Sequence, residues 1–224
     1  MTLPDRHDIE ELTLVDPGGQ HFATRPVQTG VTQVRFELLD PRLWGADYVH
    51  YEPGTYELVG VSEERTEKQE IPLEPDIRIA DVEQVRDEQL PKYLYGIAVT
   101  VENVGTGPTW VYDVAFANSP YGLADSELRD GIGDPIFAHP ERDQVSTISP
   151  GEQRVFIDAG SPLVFYDSSV CDGSQHIMEV QVGIATGEEI DSEIRLTMGG
   201  EITEYFLSRR WMCDEIDIEI TDGI

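Results

Sequence analysis

The chain has 224 residues, 39% of them hydrophobic, and sets 15 Lys plus Arg against 44 Asp plus Glu for a formal net charge of −29. That much apolar material can bury a core, which excludes a wholly disordered chain, and so few cations cannot neutralise a phosphate backbone, which excludes a direct nucleic-acid interface. No apolar run reaches the roughly 18 residues of a membrane helix, and Met1–Asp8 lacks the apolar stretch of an export signal.

In chain order, residues 12–15 open the strand-like segments, and Val34, Phe36 and Leu38 then alternate with Arg35 and Glu37. Residues 48–51 and 55–61 follow as short strand candidates. The polar stretch 62–70 reads as an exposed loop or hairpin tip. Residues 80–90 place Val82 and Val85 on one side and stop at Pro91, which predicts a short surface helix. Tyr93, Tyr95, Ile97, Val99 and Val101 share one strand face. Trp110, Tyr112, Val114 and Phe116 form a second, aromatic face, predicted to be core.

Residues 119–146 carry Gly, Pro and Asp with little alternation, and 123–129 could hold a helical turn or two. Such long excursions from a β scaffold are usually functional or interfacial. Further strands are predicted at 155–158 and 163–166, then at Met178, Val180, Val182 and Ile184, and at Ile194, Leu196 and Met198. Residues 201–207 fit helix or strand. Ile216, Ile218 and Ile220 close the chain in alternation with Asp217, Glu219 and Thr221. Turn residues such as Asp16-Pro-Gly-Gly19, Asn103-Val-Gly105 and Ser149-Pro-Gly151 separate these runs.

The charge pattern points to brine. Only Lys68 and Lys92 are lysines, and the acids are spread along the whole chain. In dilute buffer this excess opposes compaction, whereas in about 1 M salt the Debye length falls to roughly 3 Å and neighbouring carboxylates scarcely interact. Short hydrated carboxylates then keep a protein soluble where salt strengthens apolar association.

No reaction centre is legible. His7, His21, His50, His139 and His176 show no i,i+2 or i,i+4 pairing, and neither a serine elbow nor a phosphate loop occurs. Asp125, Glu127, Asp130 and Asp134 form one acidic cluster and Glu188, Glu189, Asp191 and Glu193 another. Calcium is the ligand they would suit, but neither follows an EF-hand pattern and solvated surface is the simpler reading. Cys171 and Cys213 make no disulfide framework: free thiols are the simplest reading, with an intrachain or intersubunit bridge as alternatives, and two thiols with no His at ligand spacing argue against zinc. Trp211 beside Arg209–Arg210 has the composition of an interface anchor, or of a core Trp with flanking surface arginines. Trp44 lies outside the clearest strands.

Two resemblances follow. Val99-Thr-Val-Glu-Asn-Val-Gly-Thr-Gly-Pro, with the later Ile148-Ser-Pro-Gly-Glu-Gln-Arg-Val, resembles the immunoglobulin-like modules of microbial surface proteins over residues 95–158. The length, acidity, β content and missing export signal together are similar to the single jelly-roll major capsid proteins of haloarchaeal icosahedral viruses with an internal membrane. That likeness implies no residue roles, but it makes 62–70 and 119–146 candidate tower or intersubunit loops.

The expectation is therefore an all-β chain, an antiparallel β-sandwich or jelly-roll barrel with long inserted loops and one or two short helices, forming a single domain over 1–224. Its expected role is a non-enzymatic capsid subunit of a halophilic archaeal virus, assembled in the host cytoplasm with itself or a paralogue, without cofactor, metal, nucleic-acid contact or membrane span. The alternative is a carbohydrate- or partner-binding β-sandwich module of a viral tail, spike or halophile surface.

Overall fold

The computed structural model describes residues 8–39, 51–85, 96–120, 137–138, 147–158, 163–167, 169–186, 188–204 and 211–221. The described residues form antiparallel strands and no helix, in three sheets over two apolar cores.

The first sheet holds β1 (Glu11–Val15), β2 (His21–Pro26), β3 (Gly54–Val61) and β4 (Thr66–Leu73) in the order β2-β1-β3-β4. Its first hairpin turns at Asp16-Pro-Gly-Gly19, where the Gln20 amide donates to Asp16 Oδ1 at 2.7 Å and Gly19 takes a positive φ of 79°. Period-two alternation sends Leu12, Leu14, Tyr56 and Leu58 into one core with Val27, Tyr51 and Leu73.

Val34, Phe36 and Leu38 pack half-buried against this core while Arg35 and Glu37 stay exposed, so their alternation is real. The segment nevertheless lies outside the named strands, which corrects the strand reading: burial set its period, not a sheet ladder. Within 62–70, only the first four residues make the turn, closed by the Ser62 amide to the Arg65 carbonyl at 2.9 Å. The rest belongs to β4, with Thr66–Glu70 paired to Val61–Glu57 in unbroken register.

The remaining strands build a two-layer sandwich. One layer orders β5 (Ile77–Gln84), β6 (Ile97–Asn103), β10 (Gln153–Asp158) and β8 (Phe137–Ala138) as β5-β6-β10-β8. The other orders β13 (Trp211–Ile220), β12 (Ile190–Glu204), β11 (Gln175–Ile184), β7 (Thr109–Ala117) and β9 (Thr147–Ile148) as β13-β12-β11-β7-β9. With the two-residue β9 set aside, lettering by chain order gives β5-β6-β10-β8 the A-B-E-D order of an immunoglobulin-type sandwich and β12-β11-β7 the order G-F-C. β13 is an extra strand on the G edge. Inward residues of both layers, among them Ile97, Val99, Val101, Phe156, Met178, Val180, Ile194 and Leu196, form the larger core.

The predicted surface helix over 80–90 is replaced by strand through Gln84. Val82 pairs with Val99 and is buried, Asp81 and Glu83 are exposed, and a register shift sits between Ile79 and Asp81. Docking against β6 overrides a weak helical preference. Residues 86–90 and the turn at 123–129 lie outside the described residues, and of 201–207 the first four continue β12 as strand.

The aromatic face of β7 is also corrected. Gly183 and Ile184 pair with Asp113 and Val111, so Tyr112 is the extra residue of a β-bulge. Val111, Val114 and Phe116 therefore enter the core, whereas the half-buried Tyr112 lays its ring over Gly183 and donates to Glu189 Oε1 at 2.6 Å. Trp110 is buried at 6% exposure.

Cys171 and Cys213 are joined in an intrachain disulfide with a Cα–Cα distance of 5.5 Å, which replaces the free-thiol reading. The bond ties the turn before β11 to β13. That strand is further held by the two backbone hydrogen bonds between Phe165 and Trp211 and by the Gln84 side chain, which donates to the Cys213 carbonyl and accepts from the Ile216 amide. Gln84 lies on β5, so its amide closes one side of the sandwich at the place where the two edge strands meet.

Candidate functional site

Two places combine burial, polar chemistry and shape. The first is the junction between the cores. Asn103 ends β6 fully buried, and its side-chain amide donates to the Gly107 and Ile148 carbonyls at 2.8 and 3.1 Å. Its Oδ1 accepts from the Gly105 and Asp76 amides at 3.0 and 3.3 Å, so all four positions of the amide are used. Its backbone meets the 149–152 turn, the Gly151 amide donating to the Asn103 carbonyl at 2.7 Å and the Asn103 amide to the Glu152 carbonyl at 3.0 Å.

On the other side, the Tyr51 hydroxyl of the smaller core donates to the Pro108 carbonyl at 2.6 Å. A Cβ on Gly105 would strike the Asp76 amide and Glu74 carbonyl, and one on Gly107 the Tyr51 hydroxyl, so both positions require glycine's bare backbone. Thr109 and Thr186, both buried, pair their hydroxyls at 2.8 Å beneath it. Burial pushes the Tyr51 phenol up to about 12. The arrangement fixes one core against the other and holds no nucleophile or base pair.

The second place is a groove of about 610 Å³ at the open side of the sandwich. Residues 77–80 of β5, the edge strand of its sheet, form one wall. Residues 190–192 of β12 form the other, beyond the point where β13 ends its pairing at Ile194 opposite Ile220. Further along β5, Gln84 bridges to β13.

Arg78 and Glu102, opposite each other in register, form an ion pair with Nε and Nη2 both donating to Oε2 at 2.8 and 2.6 Å. The Arg78 bond is the main reason the Glu102 carboxyl sits below its usual range. Gln153, Asp191 and Ser192 add polar groups, and Ile77, Ile79 and Ile190 supply the apolar surface.

Among the residues singled out from the sequence, the acidic cluster Asp125, Glu127, Asp130 and Asp134 lies outside the described residues, as do Trp44, Arg209 and Arg210. The second cluster is dispersed: Glu189 bonds Tyr112, Asp191 borders the groove, and Glu193 accepts from the Thr221 hydroxyl at 2.7 Å. Among the described residues no group of three or more His, Cys, Asp or Glu converges as a metal site. His21 bonds Thr24 and His176 the Asn118 carbonyl, while His7, His50 and His139 lie outside the described residues. Trp211 is half-buried where β13 begins, paired with Phe165.

The groove is invisible to sequence reasoning because its walls lie more than a hundred positions apart. Of its lining, only Asp191 stands out in the sequence, as part of an acidic run. Comparison with protein-family models, curated proteins and solved structures returned no match.

Proposed function

We propose that this chain is a non-catalytic β-sandwich binding module that works in concentrated salt outside a reducing cytoplasm. The observation that carries the reading is the preformed polar groove on the open side of the sandwich, set on strand edges rather than on loops. Binding sites are concave, largely preformed and of this size. The immunoglobulin-type strand order supports the module, since such sandwiches serve widely as rigid display scaffolds.

The Cys171–Cys213 bond supports an oxidising setting. Register supports salt adaptation: Glu57 faces Glu70 on neighbouring strands, and Glu179 faces Glu193. Like charges directly opposite are destabilising unless they are screened. Lys68 offsets one of these pairs by bonding Glu57 at 2.7 Å.

A capsid subunit is the second reading. It is favoured by an edge strand among the described residues, β4 on the first sheet, which lateral contacts between copies would cover. Light scattering on the full chain in about 2–3 M KCl, where charge is screened, separates the two. The module reading expects a monomer of 25.1 kDa. Particles of many copies would overturn it in favour of the capsid subunit.

A further inference from the structure

We propose that the groove between β5 and β12 binds a neutral oligosaccharide two or three sugar units long; this rests on the binding-module reading and assigns its ligand class. The lining chemistry narrows the choice. An anion is disfavoured because the guanidinium of Arg78 is already neutralised by Glu102, and Asp191 leaves the groove net negative. A divalent cation is disfavoured because, among the described residues, Glu102 and Asp191 are the only carboxylates in the lining and Glu102 is committed to Arg78. A purely apolar ligand would strand the polar groups of five side chains.

What remains is a ligand with many hydroxyls and no charge. Arg78 Nε and Nη2 both donate to Oε2 of Glu102, and the Gln153 side chain also bonds this carboxylate, so guanidinium, carboxylate and amide groups meet at one point of the lining. A vicinal diol, each hydroxyl of which donates and accepts, suits that mixture of donors and acceptors. Asp191 and Ser192 offer a second acceptor and hydroxyl from the facing wall, and the half-buried Ile79 and Ile190 offer apolar surface to the C–H face of a sugar ring. Neutral hydrogen bonds also keep their strength in brine, where ionic attraction is screened. A volume of about 610 Å³ accommodates two or three rings.

The test uses the full chain in about 2–3 M KCl, with cellotriose, maltotriose and triacetylchitotriose as probes. Saturation-transfer NMR reads contact and calorimetry reads affinity. At least one trisaccharide is expected to bind saturably. Arg78→Ala and Asp191→Asn should each weaken it about tenfold, the loss of a charge-assisted hydrogen bond, while Glu67→Gln on β4 leaves it unchanged.

Arg78 and Glu67 are exposed, so these variants keep the fold, and circular dichroism checks it. No saturable binding up to about 10 mM, or equal affinity in all variants, overturns the assignment. Those failures leave the chain monomeric, whereas failure of the module reading appears separately as self-assembly in light scattering.

Discussion

Asn103 shows how much one side chain can organise. It ends a core strand, satisfies two carbonyls and two amides, and the groups it bonds come from segments up to 45 residues away. Asn103→Ala would leave buried backbone groups unpaired, costing about 3 kcal/mol and lowering the melting temperature by roughly 6–12 °C. Thermal unfolding of the variant in high salt checks this, and an unchanged midpoint would deny Asn103 its organising role. The Asn-x-Gly spacing was legible as a turn, but the partners outside that turn were not, because Asp76 and Ile148 lie 27 and 45 positions away in the chain.

Tyr51 makes a pH-dependent contribution at the same junction. Its phenol titrates at about 12 in the folded chain, against the ordinary value of 10.0 for an exposed tyrosine. The stability it supplies is therefore fully present below pH 10 and lost as pH rises through 12. Tyr51→Phe should remove that alkaline loss and cost about 1 kcal/mol at neutral pH through the missing bond to Pro108. Unfolding curves recorded from about pH 8 upward, below the onset of phenol ionisation, distinguish the two chains.

At the scale of elements, the alternation of β6, β11 and β12 was readable because each strand buries one face, and a residue's burial then follows its parity. Two readings failed for one reason. β7 looked like a continuous aromatic face, but the bulge at Tyr112 changes the parity halfway, where the Tyr112 ring lies over Gly183 of the neighbouring strand. Residues 80–84 looked helical because their own composition is ambiguous and the deciding partner, β6, is distant in sequence. Gly183→Ala would push a methyl into the Tyr112 ring, at a cost of about 1–3 kcal/mol measured by denaturant titration.

The disulfide was undecidable from spacing alone, since nothing in a separation of 42 residues brings the two thiols together until β11, β12 and β13 pair. It closes a loop of that length around two core strands, so chain entropy assigns it about 4 kcal/mol. Reduction, or Cys171→Ala with Cys213→Ala, should lower the melting temperature by roughly 8–16 °C. Intact-mass measurement after alkylation without reductant should find no reactive thiol, and two labelled cysteines would contradict the pairing.

Over the whole molecule, the scaffold was legible from alternation and turns, while the division into two cores was not. Leu and Val enter both cores, and it is the sheet order that separates them. The charge excess was plain from composition. What the structure adds is where it falls: on directly facing glutamates such as Glu179 and Glu193, and on ion pairs too exposed to contribute much.

The central claim is that this acidic exterior needs salt to coexist with the sheets beneath it. Thermal unfolding of the full chain, followed by circular dichroism from about 3 M down to 0.1 M KCl as the Debye length grows from under 3 Å to about 10 Å, tests it most directly. The predicted result is a midpoint that falls steadily with dilution, with the β signal lost near the lowest salt. A midpoint that stays constant over that range would contradict it.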